Sequence, residues 1–246
     1  MISFTGSVIG YVTNYISSFI ERANDGARKL VISDHIVILN WNSRASEIIN
    51  DLLYSDRKEK VVVLVNGDKE AVSREIDERI ADTVEREVRA GNKFKSKITV
   101  IVREGDVYSI KQLQDLAINK ARSVIILGAD NGKDMCEFAK ENARDNSRGN
   151  SQTVKILMQV ADMVSAADSA DDQKIIVEIG DEWTYALVNK IIKYKTVAGK
   201  CNIFPVRVNK TLGQILSQFS LMPELNVVYR ELFSNKGSAF YTLPTD

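Results

Sequence analysis

Histidine, cysteine and proline are nearly absent from this sequence, and each scarcity narrows what it can do. The 246 residues hold one histidine, His35, two cysteines, Cys136 and Cys201, and three prolines. A nucleophile–histidine machine could draw only on His35, which opens an apolar run, so no catalytic residue is assigned and an enzyme is not expected. Cys136 and Cys201 form neither a C-x-x-C pair nor a metal-ligand spacing, which makes a reducing compartment the default. Net charge is lacking as well, with 33 basic against 33 acidic residues. A general nucleic-acid binder needs an excess of cation to displace counterions, so no nucleic-acid partner is expected.

Long apolar runs are also scarce. The uncharged stretch "MISFTGSVIGYVTNYISSFI" at residues 1–20 approaches the length of a membrane span, yet it is rich in Ser, Thr and Asn and lacks the basic start of a signal peptide. Phe4, Val8, Val12, Tyr15 and Phe19 share one helical face. Two readings fit: the cytoplasmic end of a membrane helix, or an amphipathic helix packed on a partner. No second apolar span and no TVGYG-like filter follow, so this chain alone forms no pore.

What is present is a regular alternation. "HIVILN" (35–40), "KVVVLVN" (60–66), "KITVIVREGD" (97–106), "ARSVIILGAD" (121–130), "QKIIVEIGD" (173–181) and "CNIFPVRV" (201–208) read as strands. Helical patterns separate them, including a highly charged one over 68–89 whose stripe is Val72, Ile76, Ile80, Val84 and Val88, and one over 182–192. Near-continuous apolar strands alternating with helices predict a doubly wound, mostly parallel, Rossmann-like α/β sheet, with ligands beyond the carboxyl ends of the strands. The polar stretch 131–150 reads as an insertion with its own short helix, after which Ser151 caps a helix with Val154, Leu157, Met158, Ala161 and Val164 on its face.

The corner after the first strand lacks glycine. Asn40, Trp41, Asn42, Ser43 and Arg44 stand where a dinucleotide binder carries its phosphate loop, and Trp41 and Arg44 obstruct the backbone's approach to a pyrophosphate. The second strand ends in Asn66 rather than an acid for a ribose, with Asp68 two residues on. NAD in its usual mode is therefore not expected. A looser anion or nucleotide site at Asn42, Ser43, Arg44 and Asp68 stays open, against plain helix capping with Trp41 packed under a neighbouring helix.

The C-terminal part changes character. Leu212, Ile215, Leu216, Phe219 and Met222 form one helical stripe, Pro223 breaks it, and Leu225, Val228, Leu232 and Phe233 form a second. Two short apolar helices after a complete sheet predict a dimer interface more readily than a fold back onto the sheet. "SAFYTLP" (238–244) reads as a strand opening another lobe.

In order and spacing these pieces resemble a family. "HIVILNWNSRASEII", "VVVLVNGDKE", "VIVREGDVYSIKQLQDLAINKARSVIILGAD", "KIIVEIGDEW" and "LGQILSQFSLMPELNVVYRELF" are similar to the regulatory (RCK) region of ligand-gated cation channels, nearest the CASTOR/POLLUX branch and its prokaryotic relatives. The likeness runs from about residue 32 to residue 244. It implies a division into an inner-helix end and linker (1–31), a Rossmann-like lobe (32–208), a helical crossover (209–234) and the start of a truncated second lobe (235–246), hence a piece of a larger chain. It implies a cytoplasmic domain of a membrane protein, pairing as homodimers that build a tetrameric or octameric gating ring beneath an attached or associated pore for potassium or calcium-type cations. A ligand that prefers one ring packing would shift the pore equilibrium by that preference. In calcium-gated relatives carboxylates lie after the fourth strand and at the end of the fifth. The corresponding residues are Asp130 and Glu178, and Asp181 and Asp106 could add oxygens. Calcium is thus the candidate cofactor. The alternatives are a soluble NAD-dependent oxidoreductase and a peripheral regulatory subunit of an ion-uptake system.

Overall fold

The computed structural model describes residues 29–92, 94, 96–128, 138–166, 173–197 and 202–233, and for 138–150 and 195–197 the backbone alone. The expected helix of residues 1–20, Asp130 and the strand of 238–244 lie outside the described residues.

Six parallel strands form one sheet in the order β3-β2-β1-β4-β5-β6, the doubly wound arrangement expected from the alternation. They are β1 (Ile36–Leu39), β2 (Lys60–Val65), β3 (Thr99–Glu104), β4 (Ser123–Ile126), β5 (Lys174–Ile179) and β6 (Asn202–Arg207). The helices are α1 (Ser43–Leu52), α2 (Lys69–Arg89), α3 (Ile110–Asp115), α4 (Phe138–Ser165), α5 (Glu182–Val197), α6 (Val208–Leu221) and α7 (Leu225–Phe233), with a 3-10 turn at Ile118–Lys120.

Side chains alternate across a strand, so the unbroken apolar runs feed two cores at once. Ile36, Ile38, Val61, Val63 and Val65 face α1 and α2, joined by Ala45, Ile49 and Ile76. Val37, Leu39, Val62, Leu64, Val124 and Ile126 face the other way, onto α3, α4 and α5 through Leu113, Ile156, Leu157, Val160 and Val188. Each fully buried Leu, Ile or Val contributes about 1.5–3 kcal/mol relative to exposure, and this two-sided burial holds the central strands.

Two helices differ from expectation. Ser151 does not start a helix: α4 runs unbroken from Phe138, placing Ser151 in its interior. No proline interrupts 138–165, so the polar half continues the turn that the apolar half anchors. In α2 the apolar residues recur every fourth position, and each such step rotates about 40° around the axis. Val88 has consequently turned outward, while Thr83 and Glu87 have turned into the protein. There the Glu87 carboxylate accepts from Tyr54 Oη at 3.0 Å and Asn92 Nδ2 at 2.6 Å.

Candidate functional site

The carboxyl ends of β1, β4 and β5 meet in a polar cluster at the point where the strand order reverses. Asn40, just past β1, has φ of 72°, the left-handed conformation that a phosphate loop's first glycine supplies. Its amide donates to the Leu127 carbonyl at 2.8 Å, so a side-chain bond secures the turn. Asn42, almost fully buried, caps α1: its Oδ1 accepts from the amides of Arg44 and Ala45 at 3.0 and 3.1 Å. Its Nδ2 donates to the Gly128 carbonyl at 2.8 Å and reaches Glu178 Oε2 at 3.4 Å. Arg44 Nη2 meets Glu178 Oε1 at 2.8 Å, and the Gly128 amide donates to Oε2 at 3.1 Å. Ser43 begins the helix, its carbonyl taking Ser46 Oγ at 2.9 Å.

Asn40, Asn42 and Ala45 have the first, third and sixth places of a G-x-G-x-x-G loop. Asn40 keeps the turn, and the buried Ala45 keeps the close helix packing. At the third place, where backbone should lie open to a pyrophosphate, the Asn42 side chain instead ties β1 to β4 and β5. The helix capping that the sequence allowed at this corner falls to Asn42, with Ser43 as the first residue of α1.

Of the four carboxylates considered for a divalent cation, Glu178 is engaged by Arg44, Asn42 and Gly128. Asp181 caps α5, accepting from the Thr184 amide and hydroxyl, each at 2.8 Å. Asp106 holds the turn after β3, taking the Tyr108 amide at 2.9 Å. Asp130 lies outside the described residues. Among the described residues no three Asp, Glu, His or Cys side chains gather as a metal-binding group.

Beside the cluster, over the ends of β1, β2 and β3, opens a cavity of about 540 Å³. Asn40, Trp41, Asn66, Asp68, Glu75 and Tyr108 stand among its walls. Asp68 caps α2 through the Ala71 amide at 2.9 Å, and Trp41 Nε1 donates to Glu75 at 3.3 Å. The β3 turn forms one side; a Cβ at Gly105 would lie 2.6 Å from Gln112 Oε1, the atom that accepts the Asp106 amide, so that side chain would have to shift. This cavity went unseen in the sequence, although Trp41 and Glu75 stand in it as the corner tryptophan and a residue of the charged helix.

At the other end of the sheet, Arg122 pairs with the buried Glu59 and approaches Asp34 at 3.7 Å. His35 is fully buried with Nε2 3.0 Å from the Leu116 carbonyl, and burial lowers its pKa below the ordinary histidine value.

Helices α6 and α7, which carry the two stripes expected to form a dimer interface, contribute no buried residue. Phe219 packs edge-on against Tyr229 with ring centres 5.5 Å apart, and Tyr229 against Phe233 at 5.5 Å. Leu212, Leu216, Met222, Val228 and Leu232 remain exposed, Leu216 at 58%. Ile215 and Leu225 are half-buried, and Pro223 sits in the turn between the helices. Tyr229, which joins the two aromatic contacts, lay outside both predicted stripes. No described helix is long and apolar enough to cross a membrane.

The chain is similar to the plant ion channels of the CASTOR/POLLUX family along almost its whole length. A probable ion channel POLLUX of Arabidopsis thaliana is 21% identical over 238 residues, 96% of this chain and 24% of that protein. Ion channel CASTOR of Lotus japonicus is 22% identical over 248 residues, 98% of this chain and 25% of that protein. The chain thus spans about a quarter of the length of the curated relatives it matches. No family model matches it. Among solved structures, the GsuK RCK domain aligns with 76% of this chain and 30% of its own at 14% identity and a TM-score of 0.41. A GsuK channel bound to NAD aligns with 80% of this chain and 26% of its own at 14% identity and a TM-score of 0.39.

Proposed function

We propose that this CASTOR/POLLUX-like chain is a cytoplasmic regulatory module of a cation channel, assembling with copies of itself and coupling ligand occupancy to an attached or associated pore. The reading is not enzymatic. The observation that carries it is the pair α6–α7, two helices that bury no residue among the described residues, in a chain that resembles ion channels over nearly all its length. Exposed apolar surface of this kind marks a site that a partner covers, and a second copy presents the same surface by symmetry. An oxidoreductase reading would require open backbone where Asn42 and the Arg44–Glu178 pair close the corner.

The test is the mass of the purified chain by light scattering at micromolar concentration. A dimer or larger ring is expected for the wild type, and Phe219→Asp should yield a folded monomer, because it puts a charge into the aromatic seam. A monomeric wild type rules out this mode of assembly.

A further inference from the structure

We propose that the cavity over β1, β2 and β3 binds a small organic dication, a short diamine in chemical class. The inference rests on reading the chain as a ligand-sensing module and names the ligand chemistry.

Charge is the first argument. The described lining includes the carboxylates Asp68 and Glu75 and no lysine, arginine or histidine. The helix N-termini that would attract an anion are closed by the protein's own side chains, α1 by Asn42 and α2 by Asp68. A phosphate-bearing ligand would meet two negative charges, and the caps already hold the amides of Arg44, Ala45 and Ala71. Lys155, the nearby cation, lies with Nζ 5.0 Å from the centre of the Tyr108 ring.

Shape is the second. Asp68 and Glu75 are seven positions apart, two helical turns on one face, so they stand about 10 Å apart along the axis of α2. A bare metal ion cannot bridge that distance, whereas a diamine can place one ammonium at each end. Val72 lies between the two acids on α2, and Val65, Val107 and Trp41 are also among the lining residues. Two acids on one helix face with Val72 between them match ammonium, methylene stem and ammonium. The Trp41 ring, oriented by its bond to Glu75, adds a face to which a cation is drawn. Asn40 and Asn66 are also among the lining residues.

The probe is 1,4-diaminobutane, titrated calorimetrically into the full chain, with butane-1,4-diol as the same skeleton without charge. Saturable 1:1 binding of the diamine and none of the diol is expected. Asp68→Asn keeps the helix cap and Glu75→Gln keeps an acceptor for Trp41, so both variants should fold. Each should weaken the diamine about tenfold, the size expected for one charge-assisted contact. Glu85→Gln removes a charge elsewhere on α2, beside Arg89, and should leave binding unchanged. The proposal is overturned if the diol binds as well as the diamine, if Glu85→Gln weakens binding as much as Glu75→Gln, if calcium at equimolar amounts displaces the diamine, or if no heat appears at millimolar diamine. Self-association that persists alongside any of these results overturns the ligand assignment alone and leaves the assembly reading standing.

Discussion

His35 shows how one residue can be scarce, buried and still consequential. It lies between the start of β1 and the Leu116 carbonyl, and burial, opposed in part by that hydrogen bond, lowers its pKa. The native state therefore prefers the neutral ring, and the unfolded chain takes up the proton first as pH falls through about 6.5. Stability is fully present above that pH and declines as pH drops toward the lower folded value, because the unfolded state binds more protons there. Melting temperatures between pH 8 and pH 5 should show this decline. His35→Gln, which keeps a donor for Leu116, should flatten it in that window; an unchanged slope would assign the pH dependence to other groups. This role could be only partly anticipated. A lone histidine opening a buried strand already argued against catalysis, but its partner is 81 positions away, and only the fold brings Leu116 to it.

At the scale of elements, the strand–helix corner is a dinucleotide corner by backbone and a latch by side chain. Asn40 holds a positive φ that glycine adopts freely and that costs other L-residues about 1–2 kcal/mol. Asn40→Gly should lose the bond to Leu127 but keep the turn, whereas Asn40→Ala loses both. Urea unfolding should place the alanine variant about 1 kcal/mol below the glycine variant; equal stability would remove the conformational argument. The strands, their order and the parallel winding were legible in the sequence because continuous β-branched runs depend on burial on both faces, a strong and local signal. The ends of helices were less so. Ser151 has the chemistry of a cap but lies within α4, because capping residues also tolerate helix interiors when nothing breaks the turn. The inward Glu87 follows from helical drift, yet its partners Tyr54 and Asn92 come from outside α2. The joining of Arg44 to Glu178 bridges 134 positions and two strand ends, so the sequence pattern held both residues as candidates without linking them.

For the whole molecule, the described structure divides into a sheet with two covered faces and a helical pair that covers neither. Since α6 and α7 bury no residue, a charge on their outer face should cost the isolated fold little. Leu216 is 58% exposed and lies in the stripe assigned to self-association. If a second copy covers it, association stabilises the native state by mass action, and the melting temperature must rise with protein concentration. Wild-type chain measured from low nanomolar to high micromolar concentration should show that rise. Leu216→Asp should lack it while matching the wild type at the lowest concentration, where both are monomeric. A loss of stability in Leu216→Asp that is independent of concentration would mean the helix packs on its own chain. A wild-type melting temperature that stays constant across the range would mean that the apolar helices meet no second copy.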